Sequence, residues 1–150
     1  MTYQIIYSSE SATPMQMEDL EEILDDARSS NASKGITGAL VYVDGVFLQI
    51  LEGERDVVED LMTKIAKDVR HETVTVLRKA EISAADFKDW KMAYVSATVE
   101  QVAKWAGLGG TTDIPEILAD MRQDPHRATQ VAQSILSLLT PENTAPSKPN

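Results

Sequence analysis

The segment GALVYVDGVFLQILEG, residues 38–53, constrains the fold more than any other part of the chain. Two apolar runs meet at Asp44-Gly45, a dipeptide that favours a two-residue hairpin turn because both central positions need a positive φ. That turn sets the register. Counting outward pairs Val43 with Val46, Tyr42 with Phe47 and Leu40 with Gln49, so Leu40, Tyr42, Phe47 and Gln49 share one face of a sheet. Gln49 is then a carboxamide among large apolar groups, and its donors and acceptor demand a partner.

The flanking elements predict what the hairpin packs against. Residues 2–8, TYQIIYS, read as a strand with Tyr3, Ile5 and Tyr7 on one face, followed by the loop sequence SSESATP. From about residue 16, Leu20, Ile23, Leu24 and Ala27 recur at helical spacing, while Glu18, Asp19, Glu21, Glu22, Asp25 and Asp26 fill the other side. This helix ends near SSNASKG, with Gly35 as its breaker. A second helix over 55–68 aligns Val57, Val58, Leu61, Met62 and Ile65. TVTVLRKA (73–80) and KMAYVS (91–96) complete the order βαββαββ. The expected fold is α+β, a ferredoxin-like sandwich with additional C-terminal helices, in which both helices cover one face of an antiparallel sheet. A hydrophobic slot between them is a natural small-molecule site, and Tyr7 and Gln49, on neighbouring strands, both point into it. Trp90, Met92 and Tyr94 are expected on one face of the last strand.

Beyond residue 96 the pattern is helical. Residues 99–106 form a short helix ended by GLGG. Asp113 with Glu116 predicts a capping box for a helix carrying Ile114, Ile117, Leu118 and Met121. Asp124-Pro125 opens another with Ala128, Val131, Ala132, Ile135, Leu136 and Leu139. These helices are expected on the other face of the sheet. The division is a sheet-and-helix domain at 1–96, a helical extension at 97–140 and a tail at 141–150 of disordered composition.

A chain of 150 residues that is 43% hydrophobic builds one domain, and its net charge of −10 opposes nonspecific binding to nucleic acid or an anionic membrane. Any phosphate site is therefore local. Lys64, Lys67, Arg70 and His71 stand together at the end of helix two, where the helix dipole accounts for the two lysines and a diphosphate or ribityl anchor is the competing explanation. The absence of cysteine excludes disulfides and thiol catalysis and fits a reducing cytoplasm. MTYQIIYSSE is not a secretion signal, no window has the length of a membrane span, and neither His71 nor His126 has metal-ligand spacing. A nucleophile elbow, a phosphate-binding P-loop and a dinucleotide fingerprint are all missing. Taken singly, Gln49 and Tyr7 read as satisfied core polar residues and Asn31 as a helix-end cap. Together, pointing into one slot, they form a constellation.

That constellation resembles the BLUF family of blue-light sensors, which bind FAD in a ferredoxin-like domain. The resemblance rests on IIYSS with Tyr7, Asn31 followed by GITGAL, VFLQILEG with Gln49, KDVRH, and FKDWKMAY with Trp90 and Met92. It implies a flavin ring between the two helices, flanked by Ile23 and Ile65, with Asn31 bonding the C4 carbonyl and ring edge and Gln49 bridging Tyr7 and the flavin N5. Lys64, Arg70 and His71 would lie near the ribityl or phosphate portion; FMN or riboflavin could replace FAD. It further implies a photocycle instead of enzymatic turnover: Tyr7 gives up an electron and a proton through Gln49, the pair recombines, and Gln49 is left rotated or tautomerised. The C4 carbonyl then gains a hydrogen bond and the absorption shifts to the red. Met92 and Trp90 would relay the change. After residue 96 the chain resembles the short, single-domain BLUF proteins, which implies a homo-oligomer and a separate signalling partner bound in a light-dependent way, with 114–139 as candidate surfaces. A flavin-dependent oxidoreductase, a cofactor-free ligand-binding module and a purely structural scaffold are the rivals.

Overall fold

In the computed structural model, which describes residues 2–11, 15–69, 71–108 and 113–139 and omits the His71 side chain, the Asp44-Gly45 turn forms with φ of 54° and 79° at its two central residues. It joins β2 (Thr37–Val43) to β3 (Val46–Gly53) in the expected register, Val43 opposite Val46, Tyr42 opposite Phe47 and Leu40 opposite Gln49. Around this hairpin stand β1 (Thr2–Ser11), α1 (Met17–Lys34), α2 (Arg55–Lys67), β4 (His71–Ile82) and β5 (Ala93–Ser96). The strand order is β4-β1-β3-β2-β5, which puts Tyr7 directly opposite Gln49 on adjacent strands.

The sheet is mixed, a correction to the antiparallel sheet expected. β5 runs parallel to β2, with Ala39 opposite Ala93 and Val41 opposite Val95. The reason is the path of the chain: β4 ends at Ile82 on one edge, opposite Thr2, and residues 83–92 cross the end of the sheet to start β5 beside β2. One reversal over that distance leaves β5 pointing with its neighbour. A parallel pair needs such a crossover and cannot be closed by a tight turn.

Each face of the sheet has its own core. Tyr3, Ile5, Tyr7, Leu40, Phe47 and Leu51 pack with Leu20, Ile23 and Leu24 of α1 and Val58 and Met62 of α2. On the reverse face Ile6, Val41, Leu48 and Ile50 pack under α3 (Val99–Trp105), α4 (Ile114–Gln123) and α5 (Pro125–Leu139). Period-two alternation along β1 and β3 feeds both cores, which is why these strands are buried along nearly their whole length. The C-terminal helices thus occupy the face assigned to them. Asp113 is the N-cap residue of α4 but its side chain makes no capping bond, so the expected box with Glu116 does not form. Asp124 Oδ1 accepts from the His126 amide at 3.2 Å and opens α5 as its sequence suggests. α1 closes on Gly35, whose φ of 70° suits glycine and whose amide donates to the Asn31 carbonyl.

Trp90 departs from its expected place. It precedes β5, is half-buried, and packs against the reverse core, whereas Met92 and Tyr94 belong to the face under α1 and α2. The alternation expected through residues 90–94 fails because the strand begins only at Ala93. The tail at 141–150 lies outside the described residues.

Candidate functional site

Between α1 and α2, above β3, lies a cleft of about 180 Å³ lined by Ile23, Asp26, Ala27, Ser30 and Asn31 of α1, Gln49 and Leu51 of β3, and Leu61, Lys64, Ile65 and Asp68 at α2 and its end. Apolar side chains of all three elements line it, interleaved with the polar groups of Asp26, Ser30, Asn31, Gln49, Lys64 and Asp68. Ile23 and Ile65 face it from opposite sides. Lys64 reaches its rim from the solvent side and is paired loosely with Asp60 at 3.9 Å. Lys67 does not line it. Arg70 and the side chain of His71 lie outside the described residues.

At the inner end Tyr7, fully buried, donates its Oη proton to Gln49 Oε1. Gln49 Nε2 donates in turn to Met92 Sδ at 3.3 Å. The buried amide singled out in the sequence is therefore satisfied by a phenol on one side and a thioether on the other. Burial pushes the Tyr7 phenol well above its usual range, and the charge of Asp68 adds to the shift, so the group stays protonated and keeps its donor role. Asn31 is buried one turn before the end of α1, and its Nδ2 donates to the Lys91 carbonyl at 2.7 Å. One amide hydrogen and the side-chain oxygen are left for the cleft it lines. It is not the helix cap; Gly35 takes that position. Trp90 is absent from the cleft lining.

The profile of one protein family, BLUF, described as sensors of blue-light using FAD, matches residues 2–93. The chain belongs to the BLUF family. The β subunit of a photoactivated adenylate cyclase from Euglena gracilis is 36% identical over 105 residues, which are 69% of this chain and 12% of that protein. The counterpart from Euglena longa is 37% identical over 105 residues, again 69% and 12%. The chain thus spans about an eighth of these relatives. Among solved structures, the dark state of the BLUF protein BlrB is 25% identical with a TM-score of 0.73, covering 92% of this chain and 97% of that one. The ground state of BlsA is 37% identical with a TM-score of 0.65, covering 72% and 74%. The ferredoxin-like BLUF fold with C-terminal helices is therefore the fold of this chain, blue-light sensing is its family function, and the flavin FAD is the cofactor the family implies.

The donor set fits a flavin. A planar ring needs apolar contacts on both faces and directional polar contacts along one edge, and the cleft supplies Ile23 and Ile65 for the first and Asn31 and Gln49 for the second. Sequence reasoning missed Asp26, Ser30 and Asp68, the first because the acidic residues of α1 were assigned to a solvated surface. A signal was available. Ile23, Asp26, Ala27, Ser30 and Asn31 form one helical stripe, as do Leu61, Lys64, Ile65 and Asp68, so each helix presents a mixed strip to the slot. Among the described residues no helix is long and apolar enough to cross a membrane, and no group of three or more acidic or histidine side chains could hold a metal.

Proposed function

We propose that this BLUF chain senses blue light through the Tyr7–Gln49–Met92 chain of hydrogen bonds and passes the change to a separate protein. The observation that carries the reading is the placement of Gln49, buried at the inner end of the cleft between α1 and α2 with Tyr7 on its oxygen and Met92 on its nitrogen. Bound flavin supplies the absorption of blue light and an oxidised ring able to accept an electron. Tyr7 is the nearest phenol to the amide, and it reaches the cleft through Gln49, so an electron and a proton leaving Tyr7 pass by the carboxamide. Asn31, whose Nδ2 donates to the Lys91 carbonyl, would hold the ring edge beside it.

A carboxamide has ends of opposite character, so rotating it exchanges donor for acceptor without moving the backbone. Rotation has a specific consequence here. Gln49 Nε2 would face the Tyr7 oxygen, which can accept, while Oε1 would face Met92 Sδ, which has no proton to give. An attractive N–H···S contact becomes an O···S repulsion, and Met92 is released from β3. The apolar sides of α4 and α5 are already used against the sheet through Ile114, Ile117, Met121, Val131 and Ile135, so a partner or second copy would meet the outward sides of these helices. We read the chain as a sensor and not a catalyst, acting as a homo-oligomer with a light-dependent partner, and we place Lys64, Arg70 and His71 beside the ribityl or phosphate portion of FAD.

The test is the visible spectrum of the purified protein in darkness, after a blue pulse and during recovery. A yellow protein whose bands move slightly red and return supports the reading. A colourless protein that does not take up added FAD overturns it. For the output, equal affinity of partner proteins in darkness and under blue light would remove the signalling half of the proposal.

A further inference from the structure

Residues 86–92 are fastened at both ends, and apart from Asn31 the side chains that fasten them lie outside the cleft lining. At the distal end, three successive carbonyls are taken: Trp90 O accepts from the Gly38 amide at 3.0 Å, Lys91 O from Asn31 Nδ2 at 2.7 Å and Met92 O from Arg28 Nε at 2.9 Å. At the proximal end the carboxylate of Glu52, fully buried on β3, accepts the Asp86 amide at 3.0 Å and the Phe87 amide at 2.8 Å. The same carboxylate accepts from Gln4 Nε2 at 2.9 Å and Thr37 Oγ1 at 3.0 Å, so it ties β1, β2 and β3 to the crossing segment. Arg78 steadies this knot by donating to Gln4 Oε1 at 2.8 Å. A buried carboxylate is costly unless its acceptor positions are filled, and here four donors fill them.

The segment between these anchors joins the two cores. Met92 belongs to the core under α1 and α2 and bonds Gln49, whereas Phe87 is fully buried in the core shared with α3, α4 and α5. The Trp90 amide donates to the Phe87 carbonyl at 2.9 Å, closing a turn that makes the span short and stiff. We propose that Arg28 and Glu52 are positioning residues of the light switch, holding the two ends of residues 86–92 so that release of Met92 by Gln49 is delivered to Phe87 beneath the C-terminal helices. The inference rests on the Tyr7–Gln49 reading above. Without Arg28, a displaced Met92 would relax locally; with it, the backbone at Met92 is tethered to α1 and the displacement travels toward the other anchor. Without Glu52, the Phe87 backbone would lose its hydrogen-bonded tie to β3 and keep only the packing of its ring.

Arg28 is exposed and lies outside the cleft lining, so Arg28→Met should fold and bind flavin like the wild type. The experiment records the visible red shift and amide hydrogen exchange of full-length, flavin-loaded protein in darkness and under continuous blue light. Expected for Arg28→Met are an unchanged red shift, dark exchange across 92–96 faster by about fivefold as one hydrogen bond is lost, and a light-minus-dark difference in α3–α5 below half that of the wild type. Arg28→Lys, which keeps a donor, should restore most of that difference. Glu52→Gln, which loses acceptor positions, should raise exchange at the Asp86 and Phe87 amides and likewise reduce the difference while keeping the red shift. A normal red shift with an undiminished difference in α3–α5 in either of Arg28→Met and Glu52→Gln overturns the inference alone. An absent red shift in the wild type removes the photoreceptor reading and this inference together, so the two failures are distinguishable.

Discussion

Gly38 has the closest backbone approach of the described glycines, and Gly38→Ala tests that packing quantitatively. A Cβ built there would stand 1.9 Å from the Ile50 carbonyl oxygen and 3.4 Å from Met92 Cε. The first contact is with the backbone of the neighbouring strand, so no rotamer change relieves it, and β2 must retreat from β3 by about 1 Å or more to restore ordinary contact. That movement breaks the Gly38–Trp90 bond and disturbs the two ladder bonds nearest it. Three bonds at about 1 kcal/mol each, with about 1 kcal/mol of packing strain at the low end for an overfilled site, give a loss of about 4 kcal/mol. A domain of this size is stable by about 5–15 kcal/mol, and each kcal/mol is worth about 2–4 °C in melting temperature, so the variant should melt about 8–16 °C lower. Urea unfolding of the flavin-loaded protein, followed by far-UV circular dichroism, measures the difference. A Gly38→Ala protein within about 1 kcal/mol of the wild type would mean that β2 and β3 are not held at the spacing described.

Gln49→Leu removes both the acceptor for Tyr7 and the donor to Met92, so flavin should stay bound while the light-induced red shift disappears from the difference spectrum. Tyr7→Phe keeps the ring volume and removes the phenol; loss of the shift is expected, and a full-sized shift would place the electron donor elsewhere. Tyr3 is pushed from 10.0 up to about 12 by burial, with its 2.6 Å bond to Glu59 adding to the effect. The folded protein therefore keeps a proton that the unfolded chain gives up near 10, and the stability this brings, complete below 10, is lost as the pH climbs through the folded value near 12. Urea midpoints between these limits should fall more steeply for the wild type than for Tyr3→Phe; parallel curves would contradict the assignment. Phe87 is fully buried, so Phe87→Ala should cost about 3–5 kcal/mol by denaturant unfolding, and a near-neutral result would mean that the connection does not enter the reverse core.

Local chemistry explains how much of this was legible in advance. Asp44-Gly45 fixes a turn, a turn fixes a register, and the register places Gln49, so the hairpin and the buried amide followed from a handful of residues. The neighbouring position of Tyr7 followed from topology, because a βαββ order brings the first strand beside the third. The faces of α1 and α2 were visible as apolar stripes, although the polar members Asp26, Ser30 and Asp68 were not picked out, Asp26 because the carboxylates of α1 were assigned to a solvated face. What the sequence did not reveal lies in residues 83–92. No periodicity marks that stretch, its path is set by which edge of the sheet is free, and so neither the parallel pairing of β5 nor the separation of Trp90 from Met92 could be counted out along the chain. Glu52 was hidden for the same reason. A glutamate in LEG looks like a strand end until the crossing backbone supplies the amides that justify its burial.

The bond proposed to switch would also limit how strong the output of one copy can be. Turning Gln49 exchanges one N–H···S hydrogen bond, 3.3 Å long, for a contact between two acceptors. A lost hydrogen bond and the repulsion that replaces it amount to about 1–2 kcal/mol. A switch can change a partner's affinity only by the difference in free energy it makes between the two arrangements, so one copy commands about 5–30-fold between darkness and light. A larger response requires several copies to act on the same assembly, because coupling energies of independent copies add and their fold-changes multiply; two copies would reach about 30–900-fold. A homo-oligomer of the kind proposed above would raise the ceiling in this way. Titrating a partner against the protein in darkness and under saturating blue light, with the stoichiometry fixed by light scattering, decides the matter. A complex containing a single copy whose affinity changes by more than about a hundredfold would show that rearrangement reaches well beyond the Gln49–Met92 contact.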